Sequence, residues 1–423
     1  MLYDFTQIKQ KFNSLNEDAT HFINSNDICT PMECVKEMLD SLPENFWKKE
    51  NLKILDSCCG NGNFHAYAVL KTPLKNLYFN EINLKRIENL KAYFGENLNL
   101  SIKDFLSFDE FLEEDEKYDL IVSNPPYAKF NGEKRVSKNH NLSRAFIKKA
   151  LTLTKKGGYI LFIVPNNWMS FADRNTLPKE LTKFQFKILD IGGAKKYFPK
   201  VGSSFTWFLL QKIPNSQSFE VRNSYILKDT QFVKFMPNSN FIPLYCSQVV
   251  QDIINKTLNN PTLPKYPIQT SSNLHRYTKR ELISTTKDEA HKYKLIHTPS
   301  QVVYSKIPHR YQKGYKVFLS LSNQYKIFID ECGMTQSIAF IKCKNLDEAR
   351  KIKQELEQPV YKFLNNICRY GNFNNVRVLQ HFPLWNSFHL DKKEEDFIEE
   401  FNKAYYGKNE LCQYACNSKK RLK

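Results

Sequence analysis

Residues 118–127 read Tyr118-Asp119-Leu120-Ile121-Val122-Ser123-Asn124-Pro125-Pro126-Tyr127. The first six residues form a short, mostly apolar run, which is typical of a buried strand. Two consecutive prolines end that strand and hold the backbone in a rigid, extended turn. We therefore expect an amide side chain, a carbonyl and an aromatic ring together at the carboxyl end of a strand, where ligands bind in open α/β sheets.

The four residues after the strand also have a chemical interpretation. The amine of a nucleobase is a poor nucleophile, because its lone pair is delocalised into the ring. The Asn124 amide oxygen and the Pro125 carbonyl can each accept one N–H of such an amine, and this localises the lone pair. Tyr127 can stack on the base, which is worth about 1–3 kcal/mol. The alternative interpretation is a turn that only ends a strand.

Composition limits the classes of protein that the chain can belong to. The 423 residues are enough for two or three domains. A net charge of +18 favours a polyanionic partner, nucleic acid before an anionic membrane. The longest apolar runs, such as Tyr159 to Val164, are too short to span a bilayer, and the start of the chain does not resemble a signal peptide. We expect a cytosolic protein with no membrane partner.

The cysteines do not indicate a metal site. The ten cysteines include no Cys-x-x-Cys pair, and Cys412 and Cys416 have no histidine nearby. Reduced thiols are favoured over disulfides or zinc.

A second motif precedes the first. Lys53 to Phe64 reads as a strand, a glycine turn and the start of a helix. Gly60 and Gly62 would let the backbone approach a ligand closely. A lone Gly-x-Gly is weak evidence, but Asp56 at the end of the strand is informative. A carboxylate there disfavours a pyrophosphate and favours a ligand with a cationic group, such as S-adenosylmethionine.

The alternation of strand and acid continues towards Asn124. A second strand, Leu77 to Glu81, ends in an acid that suits two ribose hydroxyls, although Glu81 alone could be a helix N-terminal charge. A third strand, Leu98 to Phe105, ends in Asp104 and Phe105. There Asp104 can accept a hydrogen bond from an adenine amine while Phe105 packs on the ring.

An earlier turn has two interpretations. Thr30 and Glu33 have the spacing of a capping box, with Pro31 at the first position of a helix. The turn is either a helix cap alone or a cover for the charged tail of a cofactor.

Taken together, these motifs resemble the adenine-specific N6-DNA methyltransferases of bacterial restriction–modification systems. The order, with the cofactor turn ahead of Asn-Pro-Pro-Tyr and a recognition region at the C-terminus, is similar to the gamma type. The resemblance covers residues 20–212 well and the remainder only in general layout. It implies an α/β fold with a Rossmann-like class I methyltransferase sheet (mixed, mostly parallel, seven strands) and a C-terminal α+β target-recognition domain. Ser57 departs from the family, which often has proline there.

The resemblance also implies roles for particular residues. The catalytic residues would be Asn124, Pro125, Pro126 and Tyr127. The residues that bind S-adenosylmethionine would be Thr30, Asp56, Cys58, Gly60, Gly62, Glu81, Ile82, Asp104 and Phe105. The target base would stack on Tyr127 and Phe198, with Tyr197 as the second choice. The alternative for Phe198 is that it packs beneath its turn.

Basic residues are the candidates for contact with DNA. They lie in a loop after the catalytic motif, in the turn near Phe198, in a segment that interleaves basic and aromatic residues, and in a turn rich in polar side chains. These residues are Lys129, Lys134, Arg135, Lys200, Lys306, Arg310, Lys313 and Arg377.

The predicted domains are 1–220, which would be catalytic, and 221–423, which would recognise DNA, with the boundary in a polar segment between 214 and 240. The predicted function is site-specific methylation of adenine N6 in duplex DNA, on a base flipped out of the helix. We expect a monomer with a cognate restriction endonuclease as a further partner. Two alternatives remain, an RNA amine methyltransferase and an inactive DNA-specificity subunit. A glutamine methyltransferase is disfavoured, because only about 50 residues precede the cofactor turn.

Overall fold

The computed structural model describes residues 4–17, 28–109, 111–127, 130–131, 134–135, 142–172, 175–199, 204–225, 230–322, 325–370 and 374–406. The chain divides into two compact units. The first unit comprises Met1–Met169 and Thr176–Ser239, and the second comprises Ser170–Asn175 and Asn240–Lys423.

The first unit is an α/β structure. Its helices are α1 (Phe5–Glu17), α2 (Met32–Asp40), α3 (Glu44–Trp47), α4 (Asn63–Ala68), α5 (Leu84–Phe94), α6 (Leu142–Leu153) and α7 (Leu177–Leu181). Its strands are β1 (Ile54–Asp56), β2 (Leu77–Asn80), β3 (Asn99–Ser101), β4 (Tyr118–Ser123), β5 (Phe130–Asn131), β6 (Lys134–Arg135), β7 (Thr154–Pro165), β8 (Phe184–Asp190), β9 (Phe205–Pro214), β10 (Phe219–Arg222) and β11 (Gln231–Val233).

One large sheet organises this unit. Over the described part of the chain it has nine strands in the order β11-β10-β8-β9-β7-β4-β1-β2-β3. Strand β9 is antiparallel to both of its neighbours, β11 is antiparallel to β10, and the other neighbours are parallel. The sheet is mixed and mostly parallel, as predicted. The prediction of seven strands was too low, because β10 and β11 extend the sheet beyond β8.

The division between the units, after Ser239, falls within the segment 214–240 in which the boundary was expected, but later than the predicted boundary at 220/221. That boundary would cut β10, whose Phe219 is 3% exposed and packs on Phe186 and Phe235. The polar composition after residue 214 indicated a linker, but alternate side chains of this segment are buried in the first unit.

Two consecutive glycines, Gly157 and Gly158, lie near the start of β7. Helix α6 ends at Leu153 and β7 begins at Thr154, so both glycines lie within the strand. Gly157 has a φ of +77°, and the register between β4 and β7 shifts between Tyr118 and Leu120. The glycines thus allow an irregular start to β7.

The predicted capping box was also wrong. Helix α2 has Pro31 as its N-cap residue and no side-chain cap. The Glu33 carboxylate forms an ion pair with Lys9 in α1, and the Thr30 hydroxyl accepts a hydrogen bond from Asn124.

The second unit is α+β. Its helices are α8 (Gln248–Lys256), α9 (Leu346–Leu356), α10 (Pro359–Ile367), α11 (Val376–Leu379) and α12 (Lys392–Tyr406). Its strands are β12 (Gln269–Thr270), β13 (Ile283–Ser284), β14 (Tyr293–Thr298), β15 (Gln301–Ser305), β16 (Lys316–Ser320), β17 (Ile327–Asp330), β18 (Gly333–Met334) and β19 (Ile338–Lys342). They form one sheet in the order β12-β19-β16-β17 and another in the order β13-β15-β14-β18.

Across the described ranges, no helix is long and apolar enough to cross a membrane. The same ranges hold no cluster of three or more His, Cys, Asp or Glu side chains that could bind a metal ion.

Candidate active site

The loops that follow β1, β2 and β4 are joined to one another at the carboxyl edge of the sheet. The Ser57 hydroxyl lies 2.8 Å from the Ser123 hydroxyl, and Asn80 Nδ2 donates to the Ser57 carbonyl at 2.9 Å. The Cys59 backbone N–H donates to the Asn80 carbonyl at 2.9 Å. Ser57, the residue that departs from the family, therefore links two strand ends through its side chain. These bonds hold the ends of β1, β2 and β4 together.

The glycine turn lies at these strand ends, and it requires glycine at positions 60 and 62. Gly60 and Gly62 have φ values of +58° and +87°, where other residues are strained. A Cβ atom on Gly62 would lie 2.7 Å from Phe94 and 2.8 Å from Leu90. Helix α4 begins directly after Gly62, so its first turn lies beside the strand ends.

Asp56 places a buried carboxyl group at the end of β1. It is 1% exposed, and its Oδ1 accepts from the Cys58 backbone N–H at 3.4 Å. Its Oδ2 is buried without a hydrogen-bond partner in the described parts of the chain. Burial raises the pKa of Asp56 well above its ordinary value. A cationic ligand group would offset the cost of burying this carboxylate, so the residue suits the ammonium of an amino-acid cofactor.

Glu81 closes the glycine turn. Its carboxylate accepts three backbone N–H groups, from Gly60 at 2.8 Å, Ile82 at 2.8 Å and Asn83 at 2.9 Å. About one acceptor site remains, and it is on Oε2, because a carboxylate offers about four lone-pair sites and Oε1 already accepts from both Ile82 and Asn83. The predicted role of Glu81 in binding ribose hydroxyls stays a prediction.

Two isoleucines provide exposed apolar surface beyond the ends of β2 and β3. Ile82, which was predicted to bind the cofactor, is 59% exposed, and Ile102 is 54% exposed. Ile102 was missed, because a single isoleucine after a strand carries no distinct signal in the sequence. Large exposed apolar side chains at ligand-binding strand ends suit the face of a heteroaromatic ring.

The structure contradicts the predicted role of Phe105. Its side chain is 1% exposed and packs on Phe108 and Phe146, so it has no free face for a ring. The neighbouring Asp104 is exposed, and its carboxylate caps a short 3-10 turn by accepting from the Leu106 N–H at 3.0 Å.

Asn124 is held through its amide nitrogen. Nδ2 donates to the Ile28 carbonyl and to the Thr30 hydroxyl, both at 3.0 Å. The amide oxygen accepts a hydrogen bond from the Tyr127 phenol. Asn124 is partly exposed, whereas Pro125 is buried and Pro126 is exposed. The predicted catalytic residues thus lie together at the end of β4.

Cys58 joins the glycine turn to the predicted catalytic motif. Its Sγ lies 3.0 Å from the Ser123 hydroxyl and 3.4 Å from the Asn124 carbonyl oxygen. Burial, reinforced by the charge of Asp56, raises the pKa of this thiol, so it remains neutral at physiological pH. A cofactor on the glycine turn would therefore lie next to Asn124.

The structure also contradicts the stacking role of Phe198. The side chain is 3% exposed and packs on Phe205 with ring centroids 5.0 Å apart. Tyr197, the second choice, donates from its phenol to Glu37. The ring that remains available is that of Tyr127, which is partly exposed and lies 5.6 Å from Phe205.

The predicted DNA-binding residues are only partly described. Lys129 and Lys200 lie outside the described residues, and Lys134 and Arg135 form the short strand β6. Four of the predicted residues lie in the second unit, and all four are exposed: Lys306, Arg310, Lys313 and Arg377. The Arg310 guanidinium lies 4.7 Å from the centre of the Tyr311 ring. Contact of all eight residues with DNA stays a prediction.

The strand order, together with the site at the carboxyl edge, defines the class of fold. The first unit is a Rossmann-like class I methyltransferase fold, with an antiparallel strand, β9, inserted between β7 and β8. The fold class predicted from the sequence is confirmed.

Comparison with known proteins gives a more particular similarity. Residues 38–198 match the family model described as Eco57I restriction-modification methylase. The chain is 27% identical to the Type II methyltransferase M.VspI of Vibrio sp. (strain 343) in an alignment of 180 residues that covers 38% of this chain and 43% of that protein. It is 27% identical to the modification methylase CviBIII of Paramecium bursaria Chlorella virus NC1A in an alignment of 205 residues that covers 46% of this chain and 52% of that protein.

These findings confirm the resemblance to restriction–modification methyltransferases, and they agree with S-adenosylmethionine as the cofactor. The chain spans about half the length of the curated relatives it matches. Among solved structures, a cryoEM structure of a DrdV–DNA complex aligns with 96% of this chain and 60% of that chain, with a TM-score of 0.56 and 11% identity. At that identity the likeness concerns the fold alone.

Proposed function

We propose that this protein transfers a methyl group from S-adenosylmethionine to the N6 amine of an adenine in duplex DNA. The observation that carries the proposal is the orientation of the Asn124 amide, which lies beside the glycine turn. Its nitrogen donates to Ile28 and Thr30, so its oxygen lies on the opposite side, where Tyr127 donates to it. The match of residues 38–198 to a restriction-modification methylase family supports DNA as the substrate.

The cofactor site is built from residues with complementary chemistry. When bound, S-adenosylmethionine supplies a methyl group on a sulfonium, which needs no activation beyond in-line placement. The Asp56 carboxylate would pair with the ammonium, Glu81 would accept from a ribose hydroxyl through the remaining site on Oε2, and the exposed side chains of Ile82 and Ile102 would contact the adenine ring.

Asn124 and Pro125 would act on the substrate amine. Their oxygens accept the two N–H groups, so the nitrogen lone pair leaves conjugation and points at the methyl carbon. Bound S-adenosylmethionine would supply the methyl group and would leave as the thioether S-adenosylhomocysteine, and the proton released from the nitrogen would pass to solvent. The phenol of Tyr127 occupies the Asn124 oxygen in the free protein. The incoming amine would replace it, which would release the ring to stack on the base.

The rest of the chain would deliver the DNA. The target adenine must leave the helix to reach Asn124, at a cost of a few kcal/mol. A net charge of +18 favours binding to the phosphate backbone, and Lys306, Arg310 and Lys313 are exposed cations in the second unit. We propose that this unit recognises the site, and that the protein acts in the bacterial cytosol beside a cognate restriction endonuclease.

The test is single-molecule methylation mapping of DNA from cells that express the chain, with Asn124→Ala as the control variant. We expect N6-methyladenine at one short sequence motif, and none with the variant. Methylated RNA together with unmodified DNA would replace this proposal with an RNA amine methyltransferase. DNA binding without any methylation would indicate a specificity subunit.

A further inference from the structure

The amide plane of Asn124 is fixed from its nitrogen side. Both N–H groups are engaged, one with the Ile28 carbonyl and one with the Thr30 hydroxyl, each at 3.0 Å. A carbonyl oxygen can only accept, so the group that faces Ile28 has to be the NH₂ group and not the amide oxygen. The amide oxygen is consequently on the opposite side, where Tyr127 contacts it.

This orientation matters for the chemistry of the motif. An amide rotated by half a turn would present two N–H donors to an amine that also carries donors. It could then accept nothing from the substrate, and the lone pair would stay delocalised. The residues that hold the nitrogen side therefore determine whether the motif can act on an amine.

Thr30 is itself held in place by a residue next to the glycine turn. Its side chain is 4% exposed, and its backbone carbonyl accepts from Asn63 Nδ2 at 2.7 Å. Asn63 is the first residue of α4 and follows the glycine turn directly. Because Pro31 and not Thr30 is the N-cap residue of α2, the Thr30 hydroxyl makes no cap bond and contacts Asn124 instead.

We propose that Thr30 is a positioning residue for methyl transfer. Its hydroxyl holds the second N–H of Asn124, so the amide plane keeps its oxygen towards the substrate amine. This proposal rests on the proposed function, and it replaces a role for the Thr30 side chain on the cofactor's charged tail.

The test compares two substitutions at Thr30 with a matched control. Thr30→Val keeps the shape of the side chain and removes the hydroxyl, whereas Thr30→Ser keeps the hydroxyl. The control is Thr72→Val, because the Thr72 hydroxyl also accepts from an asparagine, Asn76, at 2.7 Å and Thr72 is 5% exposed. That pair lies before β2, at the opposite end of the strand from the site. Thermal melting of all three variants checks that each one folds.

The first readout is the single-turnover rate of DNA methylation at saturating cofactor. The loss of one neutral hydrogen bond that acts in the transition state predicts a rate roughly 3–10-fold lower for Thr30→Val. We expect Thr30→Ser to keep most of the rate, Thr72→Val to keep all of it, and the dissociation constant of S-adenosylmethionine to be unchanged in Thr30→Val. A higher dissociation constant with a normal rate would overturn the proposal, as would a normal rate with normal cofactor binding.

The second readout needs no methylation. In the free protein labelled with ¹⁵N-asparagine, the side-chain NH₂ signals of Asn124 are assigned by their loss in Asn124→Ala. We expect both protons to be protected from exchange with solvent, and one of them to lose protection in Thr30→Val. Exchange that is unchanged by Thr30→Val would overturn the positioning role. If Thr30→Val loses protection but the wild type methylates no DNA, the contact between Thr30 and Asn124 is supported and the proposed function is contradicted.

Discussion

Asp56→Asn should stabilise the free protein and weaken its binding of S-adenosylmethionine. Asp56 is 1% exposed, and one of its oxygens has no partner among the residues that the structure describes. A buried polar group without a partner costs about 1–3 kcal/mol, and more when it is charged. A neutral amide in the same place is also unpaired, so the gain is the extra cost of burying the charged form. In a unit of this size we expect the midpoint of thermal unfolding to rise by roughly 2–12 °C.

The sign of the pH dependence follows from the direction of the pKa shift. Burial raises the pKa of Asp56 above its value in the unfolded chain. The wild type therefore loses stability as the pH rises from the unfolded pKa through the folded pKa, whereas asparagine does not titrate. Calorimetric unfolding of both proteins should show a larger advantage for Asp56→Asn at alkaline than at acidic pH.

Binding should change in the opposite direction. The lost pairing with the cofactor ammonium, a hydrogen bond between charged groups, predicts a dissociation constant roughly 10–100-fold higher by calorimetry. Binding of DNA without cofactor should change much less, in Asp56→Asn as in Asp56→Ala. Asp190→Asn is the matched control. That carboxylate is also buried, but it accepts from the Gly193 N–H and from Asn223 Nδ2, both at 2.6 Å. Asp190→Asn should lose stability and keep its cofactor affinity. A less stable Asp56→Asn with normal cofactor affinity would refute the reasoning.

Two further substitutions test the turn and the motif. Gly62→Ala combines a φ of +87° with a Cβ 2.7 Å from Phe94, and it should cost about 2–5 kcal/mol in chemical denaturation. Gly157→Ala, with a φ of +77° and nothing within 4 Å of its Cβ, should cost only about 1–2 kcal/mol, so equal losses would contradict the close packing. Asn124→Asp would place a carboxylate oxygen against the Ile28 carbonyl, so methyl transfer should fall at least about tenfold at neutral pH and recover partly as the pH falls and the acid is protonated. A rate for Asn124→Asp that does not depend on this protonation would argue against the contact with Ile28.

The parts of the site that the sequence predicts are those whose signals are local. A short apolar run followed by an acid, a glycine pair or Asn-Pro-Pro marks a strand end, and parallel strands bring such ends to one edge. Asp56, Gly62, Glu81 and Asn124 could therefore be placed together without knowledge of side-chain packing. The contact between Cys58 and Asn124 follows from this shared edge.

The parts that were missed depend on contacts between distant residues. Thr30 has the spacing of a helix cap, and nothing near it in the sequence shows that its hydroxyl bonds to Asn124. Phe105 and Phe198 have the expected position, but their burial depends on Phe146 and Phe205, which come from other elements. Propensity could not show that the polar segment after residue 214 would complete the large sheet.

The most direct measurement of the central claim is mass spectrometry of the nucleosides released from DNA after incubation with the purified protein and S-adenosylmethionine that carries a deuterated methyl group. Our account predicts labelled N6-methyldeoxyadenosine with the wild type and none with Asn124→Ala, although the variant still binds the cofactor. Label on another nucleoside, or equal label with both proteins, would contradict it.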